Sequence, residues 1–184
     1  AKQTGISRSN AYNSLANMTE KGVAYLVEEG NTRNYVPVPL DEFCKNRIRK
    51  LEESKKWLIA HVPSEKTYVE GYITIEGADH ILDKMRNLLS QVEKRVYISC
   101  TRNYLLLLVR ELEDLIRDKK KVVIITDQPA SFDNAKVYVG ENRGMQIGLI
   151  ADSRYVLTGE YGEGSMNTCL YSGQKNFVEL YKTA

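Results

Sequence analysis

The chain has 184 residues, 26 Lys/Arg against 24 Asp/Glu, and a formal net charge of +2, which allows one or two domains with a sizeable core and is too small by itself to argue for nucleic acid. No apolar run is long enough to cross a bilayer and the start carries no signal-peptide pattern, so a cytoplasmic protein with no membrane partner is expected. Three cysteines without metal-type spacing (Cys44, Cys100, Cys169) and only two histidines (His61, His80) make a metal centre improbable, and no cofactor is expected.

The first informative stretch runs from Thr4 to Gly22 and reads as the turn and recognition helix of a helix-turn-helix. Gly5 suits a tight turn, Ser7 can cap the next helix, and Gly22 can end it. Ala11, Leu15 and Met18 fall on one face and are expected to be its buried side. Arg8, Ser9, Asn10, Tyr12 and Asn13, with Ser7 at the cap, form a polar set without acids, the chemistry that reaches base edges and phosphates. Two β-prone runs, Val23 to Glu28 and Tyr35 to Val38, flank a Gly30-Asn31 hairpin signal. A hairpin directly after a recognition helix is a wing, and its Arg33 is placed to touch phosphate or enter a minor groove. Residues 1–39 therefore predict most of a winged helix, N-terminally truncated, with Ala1 to Thr4 as the last turn of the helix before it. Residues 1–62 carry ten Lys/Arg against seven Asp/Glu and the remainder sixteen against seventeen, a distribution that permits binding to double-stranded operator DNA.

Residues 40–62 predict one long helix, stopped by Pro63. Cys44, Ile48, Leu51, Lys55, Leu58 and Val62 recur at alternating four- and three-residue steps, a heptad seam with Lys55 as its polar interruption. A homodimer through Cys44, Ile48, Leu51, Leu58 and Val62 is expected, since two-fold pairing doubles the bases that a winged helix reads.

Beyond a linker at His61 to Lys66 the pattern alternates. Strands are expected at Tyr68–Ile75, Arg95–Cys100, Val122–Thr126, Ala135–Val139, Met145–Ala151, Tyr155–Leu157 and Thr168–Tyr171. Helices are expected at Gly77–Val92, Leu105–Arg117 and from about Gln174 onward. That alternation argues for an α/β layer domain over residues 66–184, and for an α+β chain overall. Ligands in open α/β sheets sit at the carboxyl ends of strands. Ser99, Thr101, Asp127 and Asp152 follow such strands, Arg143 precedes one, and Glu160 follows a hairpin. Hydroxyls, carboxylates and an arginine suit the hydroxyl network of a sugar or polyol effector. For Ser99, Thr101 and Gln128, which follows Asp127 at the same strand end, a capped turn or solvated loop is the competing reading, and Asp152 can equally cap its tight turn with Arg154.

The order of parts resembles TrmB-family transcriptional regulators. The segment Gly5-Ile6-Ser7-Arg8-Ser9-Asn10-Ala11-Tyr12, the wing and the long helix are similar to that family's DNA-binding half. Gly77-(x)3-Ile81-Leu82-(x)12-Arg95-Val96-Tyr97-Ile98-Ser99 is similar to the start of its phospholipase D-like effector domain. The resemblance implies an operator-binding first half and a second half that senses sugars or related small molecules. Phospholipase D chemistry needs His-x-Lys-x4-Asp followed by Gly-Ser. With Asp152 and Gly159 in register, Met145 stands where the histidine belongs, Ile147 where the lysine belongs, and Glu160 in place of the serine. No catalysis is therefore expected. Two alternatives remain beside the effector-controlled regulator: a degenerate phospholipase D-like hydrolase, and a redox regulator acting through Cys100 or Cys169.

Overall fold

A computed structural model describes residues 5–30, 32–63, 71–140 and 144–183, with only the backbone of Thr183. Arg143, Asn31, the stretch 1–4, most of the linker and the start of the strand expected at 68–75 lie outside the described residues. The chain divides into two units, Ala1–Lys66 and Thr67–Ala184.

In the first unit, α1 (Arg8–Glu20) begins where Ser7 Oγ accepts the main-chain N–H of Asn10 at 3.3 Å. Gly22, at φ +72°, turns the chain out of the helix, a conformation that costs a side chain-bearing residue steric strain. Strands β1 (Ala24–Glu29) and β2 (Thr32–Pro37) pair antiparallel, with Glu29 opposite Thr32. The long α2 (Leu40–His61) follows. Burial in this unit is thin. Ala24 and Val38 are its only buried residues among those described, and neither helix buries a side chain fully. The half-buried side of α1 is Ala11, Leu15 and Thr19; Met18, expected there, is 46% exposed. The reason is spacing: an i, i+4, i+8 row drifts away from position 18, and the Thr19 hydroxyl is accommodated by donating to the Leu15 carbonyl at 3.0 Å.

The second unit is a seven-stranded mixed sheet, ordered β3-β9-β8-β7-β4-β5-β6, with three longer helices. Its strands are β3 (Ile73–Glu76), β4 (Arg95–Ser99), β5 (Lys121–Thr126), β6 (Lys136–Val139), β7 (Gln146–Ala151), β8 (Tyr155–Glu160) and β9 (Thr168–Ser172). The helices are α3 (Ala78–Ser90), the short α4 (Arg102–Leu105), α5 (Val109–Arg117) and α6 (Lys175–Thr183). Strands β4, β5 and β6 run parallel; β7, β8, β9 and β3 join them antiparallel. The helix expected over Leu105–Arg117 is broken by a 3-10 turn at Leu106–Leu108, which sets Leu105 and Leu108 inward and leaves Leu106 exposed.

Strand alternation explains the two faces of the sheet. Val96 and Ile98, Val122 and Ile124, Ile147 and Leu149 point one way and meet Ile81, Met85, Leu89 and Leu112 in the core. The alternate residues point the other way, where α6 buries Val178 and Val156 is fully covered. Among the described residues no helix is long and apolar enough to cross a membrane.

Candidate DNA-reading surface and sheet-face cavity

On α1 the side chains of Arg8, Ser9, Asn10, Tyr12 and Asn13 are all exposed, and the helix has no acid in its first turn. Ser7 is engaged as the cap, so its hydroxyl serves the helix first. Arg33 lies one pair back from the hairpin turn, opposite Glu28, whose carboxylate accepts its Nε–H at 3.1 Å. Both side chains are well exposed, so the pair contributes at most about 1 kcal/mol and a phosphate can displace it.

The expected effector residues divide into three groups. Ser99 and Glu160 line a cavity of about 580 Å³ in the second unit. It opens on the sheet face turned away from α3 and α5. Gln146, Gly148, Thr158 and Thr168 contribute its polar and open floor; Ile125, Ile150 and Leu170 add apolar surface; Tyr97 and Tyr181 add aromatic surface. Gly148 makes the hollow, because a Cβ built there meets nothing closer than Ser99 Cβ at 4.0 Å. Thr101 and Asp127 do not line it. Thr101 caps α4 by accepting from Tyr104 N–H, and Asp127 Oδ1 accepts from Arg102 N–H at 2.7 Å.

Asp152 corrects the expectation. Strand β7 runs antiparallel to β4, pairing Ala151 with Val96 and Gly148 with Ser99, so Asp152 follows β7 at the sheet edge opposite Ser99. Its carboxylate accepts the main-chain N–H groups of Glu93, Lys94 and Arg95 at 2.8, 2.8 and 2.9 Å. Burial works to raise its pKa, but those three donated hydrogen bonds hold it below the usual carboxylate value.

Of the two positions at which the sequence resemblance expects a histidine and a lysine, Met145 is 41% exposed and Ile147 is buried in the core. The following loop closes on itself: Asn167 Oδ1 accepts from Gly162 N–H at 3.0 Å, and Ser165 Oγ donates to the Gly162 carbonyl at 3.0 Å. Burial pushes the thiols of Cys100 and Cys169 up to about 12 and about 11, whereas Cys44 is exposed on α2. Among the described residues no cluster of three or more His, Cys, Asp or Glu could hold a metal ion.

Sequence reasoning missed Gln146, Gly148, Thr158, Thr168, Tyr97 and Tyr181. The signal was there in part: a glycine in the middle of an apolar strand marks a hollow or a close approach. What the pattern lacked was which face α6 leaves open.

The fold defines a mixed α/β chain with a helix–hairpin–helix unit ahead of a seven-stranded sheet domain. It is similar along 97% of its length to the structure of TrmBL2, an archaeal chromatin protein with a novel mode of DNA binding, at 16% identity and a TM-score of 0.53, covering 80% of that chain. It also aligns with NucT from Helicobacter pylori at 14% identity and a TM-score of 0.46, covering 61% of this chain and 92% of that one. In sequence it is 29% identical over 149 residues to the uncharacterized protein YrhO of Bacillus subtilis (strain 168), across 76% of this chain. The chain spans about half the length of that curated relative, 51%. No family model matches the chain.

Proposed function

We propose that this chain is a DNA-binding transcriptional regulator of the TrmB type, whose operator affinity is controlled by a small molecule, a sugar or related polyol. Residues 1–39 are the winged helix-turn-helix, 40–62 the dimerisation helix, and 66–184 the phospholipase D-like effector domain. The observation that carries the reading is the acid-free polar face of α1, with Arg8, Ser9, Tyr12 and Asn13 exposed beside an antiparallel hairpin bearing Arg33. Similarity of fold to TrmBL2 over nearly the whole chain supports the same class. The effector domain acts without catalysis, because Met145 and the core residue Ile147 stand where the chemistry needs a nucleophile and a phosphate-binding cation.

The effector occupies the sheet-face cavity. Ser99, Gln146, Thr158, Glu160 and Thr168 supply hydroxyl, amide and carboxylate partners, and Tyr97 and Tyr181 supply aromatic surface for a pyranose face. Such a ligand alters operator affinity only to the extent that it binds the two DNA-binding arrangements unequally. A cysteine-based sensor at Cys100 or Cys169 is disfavoured by thiols that stay protonated at neutral pH.

The test is duplex binding together with a thermal-shift screen against sugars and sugar phosphates. Asn13→Ala should cost about 1–3 kcal/mol and relax site preference, and Arg33→Ala should weaken all duplexes evenly. Gly148→Val should abolish the ligand-induced thermal shift without lowering duplex affinity. Binding no tighter to any duplex than to random DNA sinks the DNA reading, and a shift that survives Gly148→Val sinks the cavity.

A further inference from the structure

A second basic surface lies away from the residues so far assigned to DNA. The carboxyl-terminal end of α1 and one face of α2 enclose a groove of about 180 Å³, lined by Lys21, Arg47, Arg49 and Lys50 with Asn46 and Phe43. Four cations and no carboxylate share this space. Among the described residues none of the four forms an ion pair, whereas the neighbouring Lys45 pairs with Asp41 at 2.7 Å. The Arg47 guanidinium stands over the Phe43 ring at 5.5 Å, which holds it along the groove wall.

Position decides what such a surface fits. Residues 43, 46, 47 and 50 form one helical face whose centre lies roughly a quarter-turn from that of the apolar seam at 44, 48, 51, 58 and 62, with Arg47 nearest the seam, so pairing through the seam leaves most of the groove open. The partial negative charge of the α1 carboxyl terminus works against a lone small anion, so several cations must act together on a continuous polyanion. Lys21 follows Asn13 by about 12 Å along the helix axis, comparable with the width of a major groove. A duplex read by the start of α1 therefore brings a flanking backbone strand within reach of this groove, and arginine forks match phosphate oxygens.

We propose that this groove seats phosphates of the duplex backbone beside the major groove, as a contact distinct from both the base-reading face and the hairpin; this rests on the proposed DNA-binding reading. The test uses the full chain and a fluorescent random-sequence duplex of about 30 base pairs, titrated over a salt series. In Lys21→Gln/Arg47→Gln/Lys50→Gln the slope of log affinity against log salt should become shallower by about 0.9 for each cation removed, with the thermal midpoint unchanged. Lys56→Gln, which removes a cation of the same helix outside both the groove and the seam, should leave the slope as it is. A wild-type slope in the triple variant, or an equal loss per cation in the Lys56 variant, overturns the groove while the DNA reading stands. Wild-type protein that binds no duplex overturns both.

Discussion

Asp152 reaches back 58 residues in sequence to accept the Lys94 main-chain N–H at 2.8 Å, and the same carboxylate takes those of Glu93 and Arg95. It thereby fixes the entry into β4, and its own backbone pays the strain of φ +49°. Its pKa is lower in the folded chain than the ordinary carboxylate value, so its contribution is complete above that value and is lost as pH falls through the folded one. Asp152→Asn should lower stability at pH 7 by roughly 1–3 kcal/mol, and the gap to wild type should narrow as acid protonates the folded-state carboxylate. Urea unfolding across pH checks this; a gap that persists in acid would mean that shape, not charge, matters at this turn.

This residue also marks where sequence reasoning stops. Periodicity located nearly every element, because buried strands such as Val122–Thr126 and one-sided helices such as Ala78–Ser90 carry their burial in their spacing. Asp152 was legible as a residue at a strand's carboxyl end, yet the edge it occupies depends on the direction of β7 relative to β4, which no local pattern contains. Ser99 and Glu160 follow from a rule about strand edges, whereas the cavity they line lies on a sheet face, and which face stays open depends on where α6 packs. The break at Leu106–Leu108 was hidden because three leucines satisfy a helical and a 3-10 pattern alike.

Two glycines in neighbouring strands should respond in opposite ways. A Cβ on Gly159 would sit against the Thr168 carbonyl, 2.6 Å from Cys169 Cα and 2.7 Å from its Sγ, so backbone of the neighbouring strand and not merely a flexible side chain would have to shift. Gly159→Ala should therefore destabilise by about 3 kcal/mol. Gly148→Ala meets only Ser99 Cβ at 4.0 Å and should be neutral, or stabilising by about 0.5–1 kcal/mol, since glycine weakens a strand interior. Chemical denaturation of the two variants distinguishes them, and equal losses would contradict the packing of β8 on β9.

The three thiols should separate by reactivity. Cys44 is exposed, while burial holds Cys100 and Cys169 near 12 and 11, far above neutral pH. Under native conditions at pH 7.5, a reagent such as 5,5′-dithiobis(2-nitrobenzoate) should titrate at most one thiol, Cys44, quickly and the other two only on unfolding, because the thiolate is the reacting form. Rapid labelling of two or three thiols, located by peptide mass, would reopen a sensing role for the sheet domain.

Cys44 also reports on assembly, because it shares the α2 seam with Leu51 and Leu58. Within one chain Leu51 is 72% exposed, Ile48 58% and Leu58 51%, and α2 buries no side chain. An apolar stripe of that length left in water costs about 25 cal/mol for each Å² that a partner could cover, so the seam favours a second copy. If two α2 helices pair in parallel, the d-type positions 44, 51 and 58 each face their own counterpart across the axis. A short bis-maleimide should then link Cys44 to Cys44 and trap a dimer. Leu51→Glu/Leu58→Glu should give monomers by light scattering and abolish the cross-link, with the sheet domain still folded because its core lies in the other unit. A dimer that resists cross-linking would mean an antiparallel pairing, in which position 44 meets the far end of the seam; a dimer that survives both glutamates would place the interface away from α2.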